Sequence, residues 1–318
     1  MMTDFTLGID LGGTNTKMGI VDATGQLLEQ RSYPTNSHKG PDGVLAEMAA
    51  NGLKLISETG RTVKTVGIGS PGPINGKLGI VYEAPNLGGW VNVEVTKILQ
   101  QHMQLPVTLS NDANAAAYGE WWAGAGTEID TMILLTLGTG VGGGIVINDE
   151  LYSGIDDTAG ELGHVIINFD GPLCGCGNRG CIEAYASATA ILRDVRAAIE
   201  AGEPTSLKLP EGDDPDFGTK QVYDAAVAGD ALSIRIFERM GFTLGITCAT
   251  LINSLNPEMI AFGGAMSNAW KLFQPIMVDT IKKNAFEAPA NRCRIERARL
   301  GNDAGIIGAA GLAMKAQR

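Results

Sequence analysis

The chain has 318 residues, of which 44% are hydrophobic and 19% are charged, the profile of a globular protein with one large domain or two ordinary ones. Its formal net charge is −11 and its pI is about 4.8, which argues against binding to nucleic acid, whose phosphates need a basic surface. A nucleotide is not excluded, because local glycine loops rather than net charge hold its phosphates.

The start of the chain and its cysteines indicate a cytoplasmic protein. Met-Met-Thr-Asp provides neither a basic segment nor an apolar stretch, so we expect no signal peptide. No apolar run has the length of a membrane span, and no membrane partner is expected. In a reducing compartment, Cys248 and Cys293 are expected to remain free thiols of the core.

The first strong pattern is a strand, a glycine turn and a second strand. The apolar run 5–10 ends at Asp10, residues 11–17 read Leu-Gly-Gly-Thr-Asn-Thr-Lys, and residues 18–21 are apolar again. The glycine spacing fits neither a Walker loop nor the dinucleotide fingerprint. The pattern is that of an ordinary β-hairpin or of a phosphate-binding turn. In the second case, Asp10 is placed to hold Mg²⁺ through waters.

A second copy of this pattern occurs in the middle of the chain. Residues 132–137 are apolar, residues 138–144 read Gly-Thr-Gly-Val-Gly-Gly-Gly, and residues 145–147 are apolar. We interpret 138–144 as the turn and 145–147 as the second strand. The recurrence predicts two related halves that face one another, and it favours the phosphate-binding interpretation of both turns.

Two polar segments lie between the glycine turns. Asn86 lies in Ala-Pro-Asn-Leu-Gly-Gly-Trp (84–90), where turn statistics alone favour a plain turn residue. A strand over 105–109 runs into Ser-Asn-Asp-Ala-Asn and a run of alanines, which predicts a helix capped by Asp112 or a neighbour. From these residues alone, capping is the simpler role for Asp112.

The segment 164–183 concentrates metal-binding side chains. Cys174, Cys176 and Cys181 form a C-x-C-x4-C array with glycines between them, and His164 lies ten residues upstream. Three thiolates and one imidazole are a standard closed ligand set for structural Zn²⁺. The alternatives are three free cysteines or a disulfide, and the odd number of cysteines disfavours the disulfide.

Two carboxylates flank this predicted zinc site. Glu161 lies three residues before His164, and Glu183 lies two residues after Cys181. Ordering the metal loop therefore also orders both carboxylates, which we expect to line a polar pocket. Four protein ligands leave no open position for water, so the predicted metal braces a loop and is not the catalyst.

The rest of the chain is predicted to be mainly helical. Helices are expected over 184–201, 231–252 and 303–314. The last of them is rich in glycine and alanine, and it is expected to cross closely against the helix after Asp112. A strand over 259–262 leads into Gly-Gly-Ala at 263–265, which by itself indicates a strand-to-helix turn.

Together these motifs resemble the ROK family of sugar kinases and sugar-responsive repressors. The signature is Glu161-Leu-Gly-His164, followed by Cys-Gly-Cys-Gly-Asn-Arg-Gly-Cys-Ile-Glu ending at Glu183. The Ala-Tyr-Ala-Ser-Ala-Thr sequence of 184–189 is most similar to the bacterial glucokinases of that family. Other family motifs recur in the expected order, so the resemblance covers nearly the whole chain.

The resemblance implies the actin-like, or ribonuclease-H-like, ATPase fold, an α/β architecture with ATP in a cleft between two domains. The smaller domain is expected over 1–120 with 304–318, and the larger, metal-bearing domain over 121–303. In that fold the two glycine turns hold the phosphates, and Gly264 contacts adenosine. The implied nucleotide contacts are Asp10, Gly12, Gly13, Thr14, Lys17, Gly138, Thr139, Gly140, Gly142, Gly143 and Gly264.

The same resemblance implies a hexokinase of the glucokinase type, which uses ATP with Mg²⁺ and works as a homodimer. Asp112 is then the general base that accepts the proton of the sugar 6-hydroxyl. His164 is expected to bind zinc through one ring nitrogen and the sugar through the other. The implied sugar contacts are Asn86, Asn111, Asp112, Glu161, His164 and Glu183.

Three alternatives remain open. The acceptor is another hexose if the loops around Asn86 and Glu161 fit N-acetylmannosamine, N-acetylglucosamine or fructose better than glucose. The donor is polyphosphate in some relatives, although no basic stripe in this sequence indicates it. A sugar-responsive transcriptional regulator carries a DNA-binding module ahead of its sugar domain. Here the first glycine turn begins near the start of the sequence and the charge is negative, which disfavours this function.

Overall fold

A computed structural model describes residues 5–84, 86–209 and 217–317 of the chain. The strands in chain order are β1 Phe5–Leu11, β2 Asn15–Val21, β3 Leu27–Pro34, β4 Val63–Ser70, β5 Ile74–Asn75, β6 Ile80–Glu83, β7 Val91–Val93, β8 Val107–Asn111, β9 Met132–Leu137, β10 Val141–Ile147, β11 Glu150–Leu151, β12 Met259–Gly263 and β13 Arg294–Arg297. The helices are α1 Gly40–Thr59, α2 Val95–Met103, α3 Asp112–Ala123, α4 Glu183–Ala186, α5 Ala188–Glu200, α6 Thr219–Val227, α7 Ala231–Leu255, α8 Trp270–Asn284, α9 Glu287–Arg292 and α10 Ala304–Lys315.

Two five-stranded sheets have the same strand order. The first sheet runs β3-β2-β1-β4-β8, and the second runs β11-β10-β9-β12-β13. In both, the third, second, first, fourth and fifth strands of the sheet follow one another from edge to edge. The duplication predicted from the two glycine turns is therefore confirmed in the topology. A third sheet, β5-β6-β7, has no counterpart among the sequence patterns.

The central strands are buried because both of their faces are covered. β1, β4, β9 and β12 are buried along almost their whole length, as expected of strands that lie inside an α/β sheet. β3 lies at the edge of the first sheet and carries charged, exposed side chains, which discourage pairing with another chain.

The chain forms two compact units. Unit 1 comprises Met1–Leu134, Gly143–Gly160 and Ala298–Arg318, and unit 2 comprises Leu135–Gly142 and Glu161–Arg297. The chain passes between them four times, twice within the strands β9 and β10. The domain limits given above from the resemblance, at residues 120 and 304, remain a prediction, because compactness alone does not define a functional domain.

In unit 1, α10 packs directly against α3, as the sequence predicts. A Cβ atom at Gly308 of α10 would overlap the carbonyl oxygen of Ala115 in α3. A Cβ atom at Gly119 of α3 would likewise overlap the carbonyl oxygen of Ala304 in α10. The glycines are thus required by the close approach of the two helices, since added volume in a packed core is destabilising.

In unit 2, the long helix α7 organises the core. Gly241 and Gly245 on α7 face the backbone of α8, and Phe237, Phe262 and Phe273 are fully buried around them. The side chain of Asp230 caps the N-terminus of α7 by accepting a hydrogen bond from the Ser233 amide at 2.9 Å. The short helix α4, which follows the cysteine array in the chain, packs against α7.

Several predicted limits were wrong. The strand predicted over 105–109 is β8 at Val107–Asn111, and the helix predicted to end at residue 252 extends to Leu255. β10 begins at Val141 and not at residue 145, so Gly142 and Gly143 lie in a strand and not in the turn. The helix predicted over 184–201 is two helices, α4 and α5, separated at Ser187. The Ser187 hydroxyl accepts a hydrogen bond from the Ala190 amide at 3.1 Å and so starts a new helix.

Two cysteines lie outside the cysteine array. Cys248 and Cys293 are free and buried, as expected. Within the described ranges 5–84, 86–209 and 217–317, none of the helices combines the length and the apolar composition that crossing a bilayer requires.

Candidate functional site

The first glycine turn joins β1 to β2 in unit 1. Asp10 and Lys17 lie opposite each other in the antiparallel pair. The Gly12 amide donates to Asn15 O at 3.1 Å, and the Gly12 carbonyl accepts from the hydroxyl of Thr35 at 2.6 Å. Thr35, only 1% exposed, follows β3 and was not foreseen from the sequence. The turn is therefore fixed by its own sheet.

Asp10 lies at the base of this turn. Burial raises the pKa of its carboxyl group, and the positive charge of nearby Lys17 opposes that rise. Gly305, at the start of α10, lies so close that a Cβ atom there would be 3.0 Å from Asp10 Cγ. The carboxylate is thus held in a confined position, and an oxygen ligand of this kind suits Mg²⁺.

The predicted sugar contact Asn86 lies against the first glycine turn. A Cβ atom at Gly13 would be 3.0 Å from Asn86 Cβ and 3.3 Å from Asn86 O. The turn that carries Asn86 is anchored by the buried side chains of Leu87 and Trp90, whereas Asn86 itself is exposed. Within the segment 84–90, Pro85 lies outside the described residues.

Asn111 and Asp112 lie at the N-terminus of α3. Asn111, and not Asp112, is the cap: its Oδ1 accepts from the amides of Ala113 at 3.0 Å and Asn114 at 3.1 Å. Asp112 is the first residue of the helix, and its Oδ1 accepts from the Ala113 amide at 2.8 Å. Its half-buried carboxylate therefore lies at the positive end of the helix dipole.

Two further polar residues of α3 are buried and have structural partners. The side-chain amide of Asn114 donates to Ala159 O at 3.1 Å. The carboxylate of Glu120, fully buried, accepts from the amides of Arg299 at 2.9 Å and Leu300 at 2.6 Å. Both hold segments next to points where the chain passes between units. Asn114 was visible in the Asn-Asp-Ala-Asn motif, but nothing in the sequence distinguishes Glu120 from an exposed helix residue.

The second glycine turn joins β9 to β10, mostly in unit 2. The Gly138 amide donates to Gly140 O at 2.9 Å, which closes the turn. The amide of Ala188, the first residue of α5, donates to Gly138 O at 2.8 Å. The hydroxyl of Thr189 donates to Thr139 O at 2.9 Å. The start of α5 therefore braces this turn, which explains why the helix predicted over 184–201 is interrupted.

The carboxylate of Glu183 also contacts the second turn. Its Oε2 accepts from the Val141 amide at 2.9 Å, and a Cβ atom at Gly140 would overlap the same oxygen. Its Oε1 accepts from the thiol of Cys174 at 3.3 Å. Glu183 was predicted as a sugar contact, and the structure adds these two partners inside unit 2.

The Glu-Leu-Gly-His segment lies on the other side of the same turn. Glu161 is exposed and precedes a single 3-10 turn, Leu162–His164, in which the His164 amide donates to Glu161 O at 3.1 Å. A Cβ atom at Gly163 would overlap Val141 O. The glycine of this motif is therefore required by contact with the second glycine turn.

Gly264 packs against Leu137, the residue that precedes the second glycine turn. It follows β12 with a φ of +80°, which favours glycine, and a Cβ atom there would overlap the carbonyl oxygen of Leu137. Leu137 is the last residue of β9. The structure thus brings two predicted nucleotide segments of unit 2, 138–140 and Gly264, next to each other.

The four predicted metal ligands converge. One ligand atom from each of His164, Cys174, Cys176 and Cys181 lies within 4.8 Å of the others. Cys174 Sγ is 3.6 Å from His164 Nδ1, and Cys176 Sγ is 3.7 Å from Cys181 Sγ. Around a tetrahedral Zn²⁺ with bonds of about 2.3 Å, sulfur ligands are about 3.8 Å apart. The ligand set and its spacing therefore fit a metal ion of this type.

The thiols of this cluster differ in their surroundings. Burial raises the pKa of the Cys174 thiol to about 12 and also raises the pKa of Cys181. For Cys176, a hydrogen bond with the backbone at Asn178 lowers the pKa. Metal ligation requires thiolates. Because its pKa is lowered while those of Cys174 and Cys181 are raised, the exposed Cys176 is the easiest of the three to deprotonate.

Both units contain predicted nucleotide contacts and predicted sugar contacts. Those in unit 1 are Asp10, Gly12, Gly13, Thr14, Lys17, Asn86, Asn111, Asp112 and Gly143. Those in unit 2 are Gly138, Thr139, Gly140, Gly142, Glu161, His164, Glu183 and Gly264, together with the metal ligands Cys174, Cys176 and Cys181.

The fold defines the class of the protein. Two α/β halves with the same strand order, each with a glycine turn after its first strand, form the actin-like ATPase fold. The chain belongs to the ROK family, whose family model matches residues 6–316.

Known relatives include both kinases and regulators. A glucokinase of Halalkalibacterium halodurans is 36% identical over 306 residues, which is 95% of this chain and 92% of the relative. A ROK family glucokinase from Streptomyces griseus, solved with glucose and AMPPNP, is 33% identical with a TM-score of 0.81, and the match covers 98% of this chain and 99% of that one. A ROK family transcriptional regulator, a homologue of the E. coli MLC protein, is 28% identical with a TM-score of 0.85, over 97% of this chain and 77% of the regulator.

Proposed function

We propose that this protein is a sugar kinase of the glucokinase type, which transfers the γ-phosphate of ATP to the 6-hydroxyl of glucose. The observation that carries the proposal is the presence in one chain of two glycine turns in equivalent topological positions and of a segment, Glu161 to Glu183, in which four potential metal ligands converge. The likeness to a glucokinase solved with glucose and AMPPNP supports it over nearly the full length of both chains.

Phosphoryl transfer requires in-line positioning, charge neutralisation and a group that accepts the proton of the attacking hydroxyl. In this proposal Asp112 is that group. The Asn111 cap and the first turn of α3 fix its position, and the Ala113 amide stabilises its anionic form. Asn86, Asn111, Glu161, His164 and Glu183 then bind the remaining sugar hydroxyls and orient the 6-hydroxyl.

The nucleotide phosphates are assigned to the two glycine turns. Main-chain amides and small side chains let phosphate oxygens approach closely. Asp10 would hold Mg²⁺, whose charge offsets that of the phosphates when the ion is bound. Lys17, opposite Asp10 in the β1–β2 pair, is the predicted basic side chain nearest to this position.

The metal assigned to the cysteine cluster is Zn²⁺ with a structural role. His164, Cys174, Cys176 and Cys181 would fill all four positions, which leaves none for a catalytic water. What the cluster contributes is order: it fixes the segment from Glu161 to Glu183 and with it three predicted sugar contacts. A homodimer, suggested by family resemblance, remains a prediction.

A coupled assay that crosses four sugars with two phosphate donors tests the function. The sugars are glucose, N-acetylmannosamine, N-acetylglucosamine and fructose, and the donors are ATP with Mg²⁺ and polyphosphate. We expect glucose with ATP to give the highest kcat/KM. A higher value for another pair would replace the substrate assignment but keep the kinase. Absence of turnover with every pair, together with retardation of genomic DNA fragments in a gel-shift assay, would favour a regulator.

A further inference from the structure

The carboxylate of Glu183 joins the metal cluster to the second glycine turn. One oxygen, Oε2, accepts from the Val141 amide at 2.9 Å, and the other, Oε1, accepts from the Cys174 thiol at 3.3 Å. Val141 is the residue at which the turn ends and β10 begins. A single side chain therefore spans the distance from a predicted zinc ligand to a predicted phosphate-binding turn.

The glycine at position 140 reflects this contact. Its φ lies outside the left-handed region, so the backbone of the turn does not itself require glycine there. A Cβ atom at Gly140 would, however, overlap Glu183 Oε2. By contrast, a Cβ atom at Gly138 would meet nothing within 4 Å. The absence of a side chain at position 140 is thus explained by the carboxylate.

The two oxygens of Glu183 have different partners. Oε2 accepts from a backbone amide, that of Val141, and this contact fixes the carboxylate against the end of the turn. Oε1 faces the side chain of Cys174 in the predicted metal cluster.

We propose that Glu183 is a positioning residue for the nucleotide: it holds the Gly138–Val141 turn in the shape that binds phosphate, in addition to its predicted contact with the sugar. The inference deepens the proposed function and rests on it, because it uses the assignment of this turn to the nucleotide. One carboxylate that contacts both the turn and the sugar couples the two ligands, so that each binds more tightly in the presence of the other.

A double-mutant cycle on the zinc-loaded full-length protein tests the inference. The affinity for AMPPNP is measured by calorimetry without sugar in the wild type, Glu183→Ala, Gly140→Ala and the double variant. We expect each single variant to raise Kd by about tenfold, and the double variant to be no weaker than Glu183→Ala, because both changes remove the same contact. The matched control is Gly138→Ala, because a Cβ atom at position 138 does not meet the carboxylate. The fold-changes in Kd caused by Gly138→Ala and Glu183→Ala should therefore multiply in the corresponding double variant.

A conservative variant separates positioning from loss of the fold. Glu183→Gln keeps an oxygen that accepts from the Val141 amide, so we expect AMPPNP affinity within about threefold of the wild type. Metal content and the thermal midpoint are measured for every variant, which detects loss of the metal or of the fold. Gly140→Ala is a second way to perturb the contact, because it leaves the carboxylate of Glu183 in place.

The outcomes distinguish this inference from the proposed function. Wild-type protein that binds no AMPPNP would defeat the function itself. Wild-type protein that binds AMPPNP, with a Kd unchanged in Glu183→Ala or with multiplicative effects of Gly140→Ala and Glu183→Ala, would overturn the role of Glu183 alone. Loss of glucose affinity in Glu183→Ala with unchanged AMPPNP affinity would show that Glu183 contacts the sugar without positioning the turn.

Discussion

The two glycine turns occupy equivalent positions in the strand order but are held in different ways. In unit 1, the hydroxyl of Thr35 binds the first turn from the end of the neighbouring strand. In unit 2, Glu183 and Thr189 bind the second turn, and both follow the cysteine array in the chain. The first turn is held by a residue that follows its own sheet, whereas the second is held by a segment that directly follows the predicted metal ligands.

The turns nevertheless share one feature. Each contacts a residue predicted to bind the sugar: Gly13 faces Asn86, and Gly140 faces Glu183. In each half, a predicted phosphate-binding segment thus lies beside a predicted sugar-binding residue, and the predicted metal ligands described above all lie in unit 2. We infer that the metal affects one turn and leaves the other unchanged, and the following experiments test or refine that difference.

The largest expected effect is on the rate of phosphoryl transfer. The proposed base, Asp112, lies outside both glycine turns. Replacing Asp112 by Asn should lower kcat about 10²–10⁴-fold while glucose affinity stays near that of the wild type, because the amide cannot accept the proton. Steady-state kinetics and calorimetry measure the two quantities. The matched control is Asp42→Asn, which changes an exposed first-turn aspartate of another helix. Near-normal turnover of Asp112→Asn would remove the assigned base.

The next effect separates the two turns directly. Cys176→Ser removes one of four ligands, so we expect most of the bound metal to be lost. In hydrogen exchange, the Val141 amide should then exchange at least about tenfold faster. The Thr35 amide, which donates to Thr14 O beside the first turn, should keep its rate.

The control for that experiment is Cys293→Ala, which alters a buried cysteine outside the cluster and should retain the metal. Equal acceleration of both amides in Cys176→Ser would mean that the metal acts on the whole protein and that the proposed difference between the turns does not exist.

A smaller effect is expected from the hydroxyl that holds the first turn. Thr35→Val keeps the shape of the side chain but leaves Gly12 O and the Thr16 hydroxyl without their partner. We expect a loss of about 1–3 kcal/mol in the free energy of unfolding, measured with denaturant, and weaker nucleotide binding with unchanged metal content. Thr35→Ser should retain most of the stability. A loss of metal in Thr35→Val would contradict the independence of the two turns.

The smallest effect tests the stability of unit 2 apart from its site. The Asp230 carboxylate accepts hydrogen bonds from the Ser206 and Ser233 amides, which lower its pKa although burial acts in the opposite direction. Asp230→Ala should therefore cost about 1 kcal/mol at neutral pH. Since the pKa in the folded state lies below the unfolded value of about 3.9, this charge-dependent stabilisation is present above that pH and is lost as the pH falls.

Asp230→Asn supplies the control, because asparagine caps a helix without a titrating charge. The stability difference between wild type and Asp230→Asn should shrink below about pH 4. A difference that is constant from pH 3 to pH 7 would show that hydrogen bonding alone, without ionisation, accounts for the cap.

The sequence predicted the regular elements well where local patterns determine them. The apolar run before the second glycine turn ends at Leu137 in both sequence and structure, because burial on both faces requires continuous apolar residues. The start of β10 was misplaced because glycine disfavours strands in general. Gly144 lies in the strand for a tertiary reason: a Cβ atom there would overlap Ala117 of α3. No local pattern contains that information.

The residues of the candidate site were also predictable where local sequence identifies them, and their long-range contacts were not. The metal ligands were predictable because their chemistry is distinctive and they lie close together in the sequence. The contact of Glu183 with Val141 joins residues 42 positions apart, and Glu120 binds amides 179 and 180 positions away. Such contacts depend on the tertiary fold within each unit, so the sequence indicates the residue types without their partners.

The most direct test of the central claim is phosphorus NMR of the purified protein with ATP, Mg²⁺ and glucose. The account predicts that the γ-phosphate resonance is replaced by that of glucose 6-phosphate, with one ADP formed for each sugar phosphorylated, and that Asp112→Asn slows this conversion about 10²–10⁴-fold. Appearance of inorganic phosphate in place of a sugar phosphate, or an unchanged ATP spectrum, would contradict it.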